Sequence, residues 1–230
     1  MDQPLALQPL TLQPLTLYSY WRSTAAYRVR IGLGLKGLEH AIVPVDLARD
    51  GGQHHAPAYL AMNPQGFVPS LAHGKHRIHQ SLAILEYIDE TWGPASLLPA
   101  EPLARARVRA LAQLVACDIH PLNNLRVLQY LERTLDVAAE ARQAWIGEWI
   151  TRGFDALEAM LGEGQAGGFC HGESPSLADC CLVPQVYNAR RFNVGLSAYP
   201  RILAIDARCA GLPALKTAHP AAQPDAPAAG

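Results

Sequence analysis

Between Leu15 and Gly37 the hydrophobic period changes within four residues, and that change constrains the fold more than any other feature of the chain. Leu15, Leu17 and Tyr18 make a short apolar strand, Trp21-Arg22-Ser23-Thr24 breaks it, and a helix follows with an apolar stripe at Ala25, Val29 and Leu33. Gly37 is its natural stop. A strand that feeds a helix leaves the first helical N–H groups unpaired, with the positive end of the helix dipole behind them. Ser23 and Thr24 put hydroxyls at that spot and Arg22 adds a fixed positive charge. A carboxylate, a phosphate or a thiolate is suited to such a turn. A second apolar strand, Ala41 to Val45, completes a strand, helix, strand unit of α/β type.

The chain has 230 residues, enough for one large or two modest domains. Its formal net charge of −1 offers no basic field for nucleic acid, so anion binding must come from local arginines. No apolar run reaches the ~18 residues of a membrane span, and the first positive side chain is Arg22, so neither membrane insertion nor export is expected. Five cysteines without C-x-x-C spacing argue against a disulfide framework and a zinc ribbon; reduced thiols, a cytoplasmic setting and no metal site are the expectation. Residues 1–14, which carry the echo Leu7-Gln8-Pro9-Leu10-Thr11 and Leu12-Gln13-Pro14-Leu15-Thr16, read as a flexible leader. The Ala- and Pro-rich stretch 220–230 reads as a disordered tail.

Asp46 opens a polar stretch that runs through Arg49 to His55, and beyond Asn63-Pro64 the segment Val68-Pro69-Ser70-Leu71 leads into a hairpin turning at His73-Gly74-Lys75. Two readings of Val68-Pro69 stand at this point: the start of an edge strand, or a cis bond that turns the Val68 backbone toward a ligand. After Gln80, Ser81 reads as the N-cap of a helix with Ile84, Leu85 and Ile88 on its buried face, ended by Trp92-Gly93-Pro94. Residues 15–92 therefore form the α/β unit and 93–102, with its prolines, reads as a linker. From 103 to 219 the pattern is helical throughout, with spans near 103–131, 137–161, 176–190 and 200–210. Ser176 and Asp179 have the spacing of a capping box, a structural role.

One stretch of the helical half stands out, His120-Pro121-Leu122-Asn123-Asn124-Leu125-Arg126, which sets polar side chains into an apolar helix marked by Val108, Leu111, Val115 and Ile119. Four residues apart, His120 and Asn124 are expected on one helix face, with Arg126 about 120° round from His120. Arg190-Arg191 is a second candidate, against the alternative of a solvated basic helix end.

The chain resembles the zeta-class glutathione transferases over residues 15 to about 225. The segment Ser23-Thr24-Ala25-Ala26-Tyr27-Arg28-Val29-Arg30-Ile31 is similar to the family's Ser-Ser-Cys-x-Trp-Arg-Val-Arg-Ile signature. Asn63-Pro64, Val68-Pro69, His79-Gln80-Ser81, Leu182-Val183-Pro184-Gln185-Val186 and Tyr199-Pro200 are further matches. Thr24 stands where the family has its second Ser and Ala25 where it has Cys, so no protein thiol is expected at the centre.

The resemblance implies an α/β thioredoxin-like N-terminal domain followed by an all-α C-terminal domain, with glutathione as cofactor and a homodimer as the assembly. It implies that Ser23 hydrogen-bonds the glutathione thiolate and that Pro69 is cis so that Val68 pairs with the cysteinyl backbone. Gln80 and Ser81 would take the γ-glutamyl end, and His54 would lie near the glycyl end. The implied activity is cis/trans isomerisation of maleylacetoacetate or maleylpyruvate in aromatic catabolism, the substrate being a small dicarboxylic keto acid. Arg22, Arg126 and Arg191 are the candidates for its carboxylates, since a guanidinium meets a carboxylate in bidentate fashion; His120 and Asn124 complete the set. A conjugating or dehalogenating transferase and a non-catalytic binding protein on the same fold are the alternatives.

Overall fold

The computed structural model describes residues 11, 13–93, 95–163 and 167–227, so most of the expected leader and the last three residues of the expected tail lie outside it. Two compact units emerge, one running to Ala95 and rejoined by the segment from Ala218, the other Ser96–Thr217.

In the first unit β1 (Leu15–Ser19), β2 (Ala41–Pro44), β3 (Ser70–His73) and β4 (His76–His79) form a mixed sheet of order β2-β1-β3-β4. β1 pairs in parallel with β2, Leu17 opposite Ile42, and antiparallel with β3, Leu17 opposite Leu71. β3 and β4 are the arms of the hairpin, turning at Gly74 with φ +54°. β3 is thus an interior strand, which removes the edge-strand reading of Val68-Pro69; that peptide bond is cis.

Helix α1 (Thr24–Leu35) ends as its sequence dictates: Gly37, at φ +64°, lets the Leu38 N–H reach back to the Leu33 carbonyl at 2.9 Å. It packs on α3 (Ser81–Thr91) over Ile84, Leu85 and Ile88, all fully buried. Burying one such aliphatic side chain contributes roughly 1.5–3 kcal/mol. The two helices approach closely because of Gly32, where a Cβ would stand 2.2 Å from Leu85 Cδ2. A second cluster forms from Tyr20, Val45, Tyr59 and Val68, with Tyr59 contributed by the short helix α2 (Pro57–Met62), which the sequence reading passed over.

The second unit contains α4 (Pro102–Gln113), α5 (Leu125–Arg133), α6 (Ala139–Gly162), α7 (Leu177–Arg191) and α8 (Pro200–Ala210). A last short helix, α9 (Pro213–Ala218), runs to the point where the chain rejoins the first unit. The segment expected to be a linker is partly core, since Leu97 and Leu98 are buried and the Leu97 carbonyl accepts the Leu177 N–H at 2.8 Å. At the start of α7 the Asp179 carboxylate accepts the N–H and hydroxyl of Ser176, each at 2.7 Å, and the Cys170 N–H at 2.9 Å. That is the structural role its spacing implied.

The single helix expected over 103–131 is instead broken. Pro121 has no N–H to continue the ladder and its ring would collide with the carbonyl four residues back. The chain widens to a π-turn over Leu114–Ile119, tightens to a 3-10 turn over His120–Asn123, and restarts at Leu125. Gly153 of α6 makes room for the π-turn, a Cβ there falling 2.2 Å from Ile119 Cγ1.

The expectation of a disordered tail from 220 fails for its described residues. Pro220–Ala222 form a 3-10 turn, Gln223 is buried, and Asp225 Oδ2 accepts the Trp21 N–H at 2.9 Å. Composition misled because the polar groups that order this segment find partners far away in sequence.

Candidate active site

The first unit carries its candidate residues on four connections between its strands and helices. Ser23 is the N-cap of α1: its backbone is extended at φ −68°, ψ 117°, and its Oγ accepts the Ala26 N–H at 3.2 Å. That bond uses a lone pair, and a hydroxyl also carries one O–H donor, so Ser23 can cap the helix and donate to an anion together. Ser23 is half-buried whereas Thr24, in the first turn, is 6% exposed; of the two hydroxyls Ser23 is the accessible one. Arg22 is exposed, its guanidinium 5.5 Å from the centre of the Trp21 ring.

The loop that carries Val68 and Pro69 is held by a knot of polar side chains. Tyr59 Oη donates to the Phe67 carbonyl at 2.6 Å, Asn63 Nδ2 donates to the same carbonyl at 2.8 Å, and both meet Ser70 Oγ. His79 Nδ1 reaches Ser70 Oγ from β4 at 3.0 Å. Burial pushes the Tyr59 hydroxyl pKa up, so it remains a donor across the neutral range. Asn63 was noticed only as part of a motif; Tyr59 and Ser70 went unmarked because nothing local shows that side chains eleven residues apart meet.

At the start of α3 the cap assignment changes. Gln80, not Ser81, occupies the N-cap position, at φ +70°, a left-handed conformation that costs a non-glycine residue about 1–2 kcal/mol. Ser81 lies in the first turn, buried, where its Oγ accepts Arg28 Nη1 at 3.1 Å. The exposed Gln80 side chain donates from Nε2 to Gln65 Oε1 at 2.7 Å. His54 sits in a 3-10 turn, 8% exposed, with its Nδ1 unpartnered among the described residues and its ring 3.8 Å from that of His55. Burial, and then the neighbouring His55 charge, hold its pKa below the ordinary imidazole value.

In the second unit the break at Pro121 gives the candidates different roles from those expected. Asn124 is the N-cap of α5, its Oδ1 accepting the Arg126 N–H at 3.2 Å, so it does not share a helix face with His120. Asn123 is the buried member of the pair, 6% exposed, and neither end of its amide has a partner among the described residues. His120 is half-buried, and Arg126, in the first turn of α5, is exposed. At the end of α7 the two arginines separate in role. Arg190 is tied to Asp206 at 2.7 Å, whereas Arg191 donates to Asn188 Oδ1 at 3.0 Å and lies over the Phe192 ring.

The sequence reading also missed Arg28 and Arg30. Both are buried, 2% and 3% exposed, inside α1. The available signal was two arginines on a helix otherwise apolar in its middle, since charges are buried only when held by partners. Arg30 Nε donates to the Ala218 carbonyl at 2.9 Å, Nη1 to Ser19 Oγ at 2.9 Å and Nη2 to the Trp21 carbonyl at 3.0 Å.

Residues 13–90 match the glutathione S-transferase N-terminal domain family and residues 136–217 the glutathione S-transferase C-terminal domain family. Maleylacetoacetate isomerase of Pseudomonas aeruginosa is 50% identical over 93% of this chain and 99% of its own. A holo structure of maleyl pyruvate isomerase, described as a bacterial zeta-class glutathione S-transferase, superposes with a TM-score of 0.89 at 47% identity, covering 92% of this chain and 100% of that one. The chain belongs to the zeta-class glutathione transferases. Another relative of known structure, maleylacetoacetate isomerase from Methylobacterium extorquens AM1, carries bound malonate and glutathione. It has a TM-score of 0.89 at 43% identity and covers 93% of this chain and 100% of its own. The thioredoxin-like and all-helical halves of the zeta-class architecture are those described above.

Proposed function

We propose that this chain is a glutathione-dependent cis/trans isomerase of maleylacetoacetate or maleylpyruvate. The observation that carries the reading is 50% identity, over 93% of this chain, to a maleylacetoacetate isomerase, combined with a Ser23 hydroxyl that caps α1 and keeps a donor for an anion. Glutathione, when bound, supplies a thiolate that adds to the cis double bond and leaves again after rotation about the resulting single bond, so it is not consumed.

The protein's own residues fit that cofactor. Ser23 donates to the thiolate, and the N-terminus of α1 favours negative charge there. The Val68 backbone, beside the cis Pro69, offers peptide groups to an extended ligand, as a sheet edge does. Gln80 and Ser81 at the start of α3 receive a carboxylate, and the orphaned His54 Nδ1 is a buried polar atom suited to a second one. Arg22, Arg126 and Arg191 are assigned to the substrate carboxylates, with His120 and Asn124 as further polar groups. Polar anchors at the ends of a diacid leave the carbon chain between them free to turn, which a snug apolar slot would not.

Incubating the enzyme with maleyl keto acid and a tenth of an equivalent of glutathione tests this. Complete conversion to the fumaryl isomer with glutathione recovered is the expected result. A reaction that stops when the thiol has been used once would instead assign a conjugating transferase.

A further inference from the structure

We propose that Asp225 is a positioning residue of the thiol site, acting through the backbone of Trp21; the proposal rests on glutathione binding by this chain. The peptide groups just ahead of Arg22 and Ser23 are held from two directions. Asp225 Oδ2 accepts the Trp21 N–H at 2.9 Å, across 204 residues of sequence, and Arg30 Nη2 donates to the Trp21 carbonyl at 3.0 Å. Arg30 Nη1 also donates to the Tyr20 carbonyl, which accepts the Ser23 N–H at 3.0 Å and so closes the turn. The Ser23 carbonyl in turn accepts the Tyr27 N–H, the first rung of α1. The turn that aims the Ser23 hydroxyl is therefore fixed by one cation from within α1 and one anion from the far end of the chain.

Asp225 does not hang on its own. Its segment begins at the Ala218 carbonyl, which takes Arg30 Nε, so the same guanidinium grips both the turn and the strap that crosses it. His219 packs edge-on to Tyr27, with ring centres 6.0 Å apart, and its Nδ1 accepts the Ala221 N–H. The buried Gln223 donates from Nε2 to the His219 carbonyl at 3.0 Å. These contacts deliver the carboxylate to Trp21 from an ordered loop. A carboxylate accepting a backbone N–H is among the stronger hydrogen bonds, and losing it frees a peptide two residues from the thiol donor. Small displacements of a catalytic group reduce rate and affinity steeply.

The test compares the full-length wild type with Asp225→Ala and Asp225→Asn by three readouts: hydrogen exchange of the Trp21 amide without ligand, glutathione affinity by calorimetry, and the pKa of the bound thiol by thiolate absorbance. Asp225→Ala should speed Trp21 exchange at least about tenfold while α3 amides remain protected, weaken glutathione about tenfold, and raise the bound thiol pKa. Asp225→Asn keeps an acceptor oxygen and should restore most of each. Unchanged glutathione affinity and thiol pKa in Asp225→Ala, or an Asn variant as impaired as the Ala one, would overturn the proposal. Failure of the isomerase reading shows separately, as a wild type that binds glutathione without turning over the keto acid.

Discussion

Two helices of this molecule begin in the same way, and the comparison separates a rigid device from a lightly held one. At Ser23 and at Asn124 a polar cap accepts an N–H from the first turn of its helix, Ala26 in one case and Arg126 in the other. Around Ser23 the backbone is pinned by Arg30 and Asp225, and most of α1 is buried. Around Asn124 the chain arrives through a π-turn and a 3-10 turn, with Trp145 Nε1 bonded to the Leu122 carbonyl, and α5 contains no buried residue. A serine cap retains a donor for a thiolate, while an asparagine cap leaves its amide N–H₂ for a neutral or carboxylate oxygen. The same local device thus leaves chemically different groups at the two caps.

The largest expected effect breaks the first side of that comparison. Ser23→Ala removes the thiolate donor and should lower kcat by about a hundredfold or more, as loss of one preorganised donor does, with glutathione binding reduced far less. Steady-state kinetics on both substrates measure it. Next, Arg126→Met and Arg191→Met should each lower kcat/KM for the diacid about ten- to a hundredfold, the value of one charge-assisted bond, with little change in glutathione affinity. Equal loss of both would make these arginines structural.

A third expectation sharpens the contrast in rigidity. Amides in the middle of α1 should exchange only on global unfolding, whereas those of α5 should exchange through local opening, orders of magnitude faster, in native-state hydrogen exchange. Similar protection in the two helices would erase the distinction.

The smallest effect concerns pH. His54 is held below the ordinary imidazole pKa by burial and by His55, and His79 and His219 shift the same way, burial again being the first cause. A histidine whose folded pKa is depressed contributes stability that is present above about pH 6.5 and lost as pH falls through the folded value. The Tm should therefore decline as pH falls below about 6.5, and His54→Gln should flatten part of that decline, as thermal melts over a pH series would show.

The first of the two breaks was legible in the sequence because its signals are local: a change of period from two to 3.6, a Ser at the cap, and Gly37 where the helix must stop. The hairpin at Gly74 was legible for the same reason. The second break was not, because Val108, Leu111, Val115 and Ile119 keep an apolar helical rhythm into a π-turn, so the period gave no warning that Asn124 would become a cap. Gln80 was passed over for Ser81 because a non-glycine residue at positive φ has no sequence signature. The strap from Ala218 to Asp225 was hidden most completely. Its Ala and Pro content is that of a tail, and its long-range contacts with Arg30, Trp21 and Tyr27 make it part of the first unit.

The central claim is that the half-buried Ser23 hydroxyl, held as the cap of α1, stabilises the glutathione thiolate. Titrating the thiolate absorbance of enzyme-bound glutathione tests it most directly, in the wild type, Ser23→Ala and Thr24→Val. The account predicts a bound thiol pKa well below that of free glutathione in the wild type and in Thr24→Val, returning most of the way to the free value in Ser23→Ala. A pKa that remains depressed in Ser23→Ala and rises in Thr24→Val would contradict it and make the buried Thr24 the donor.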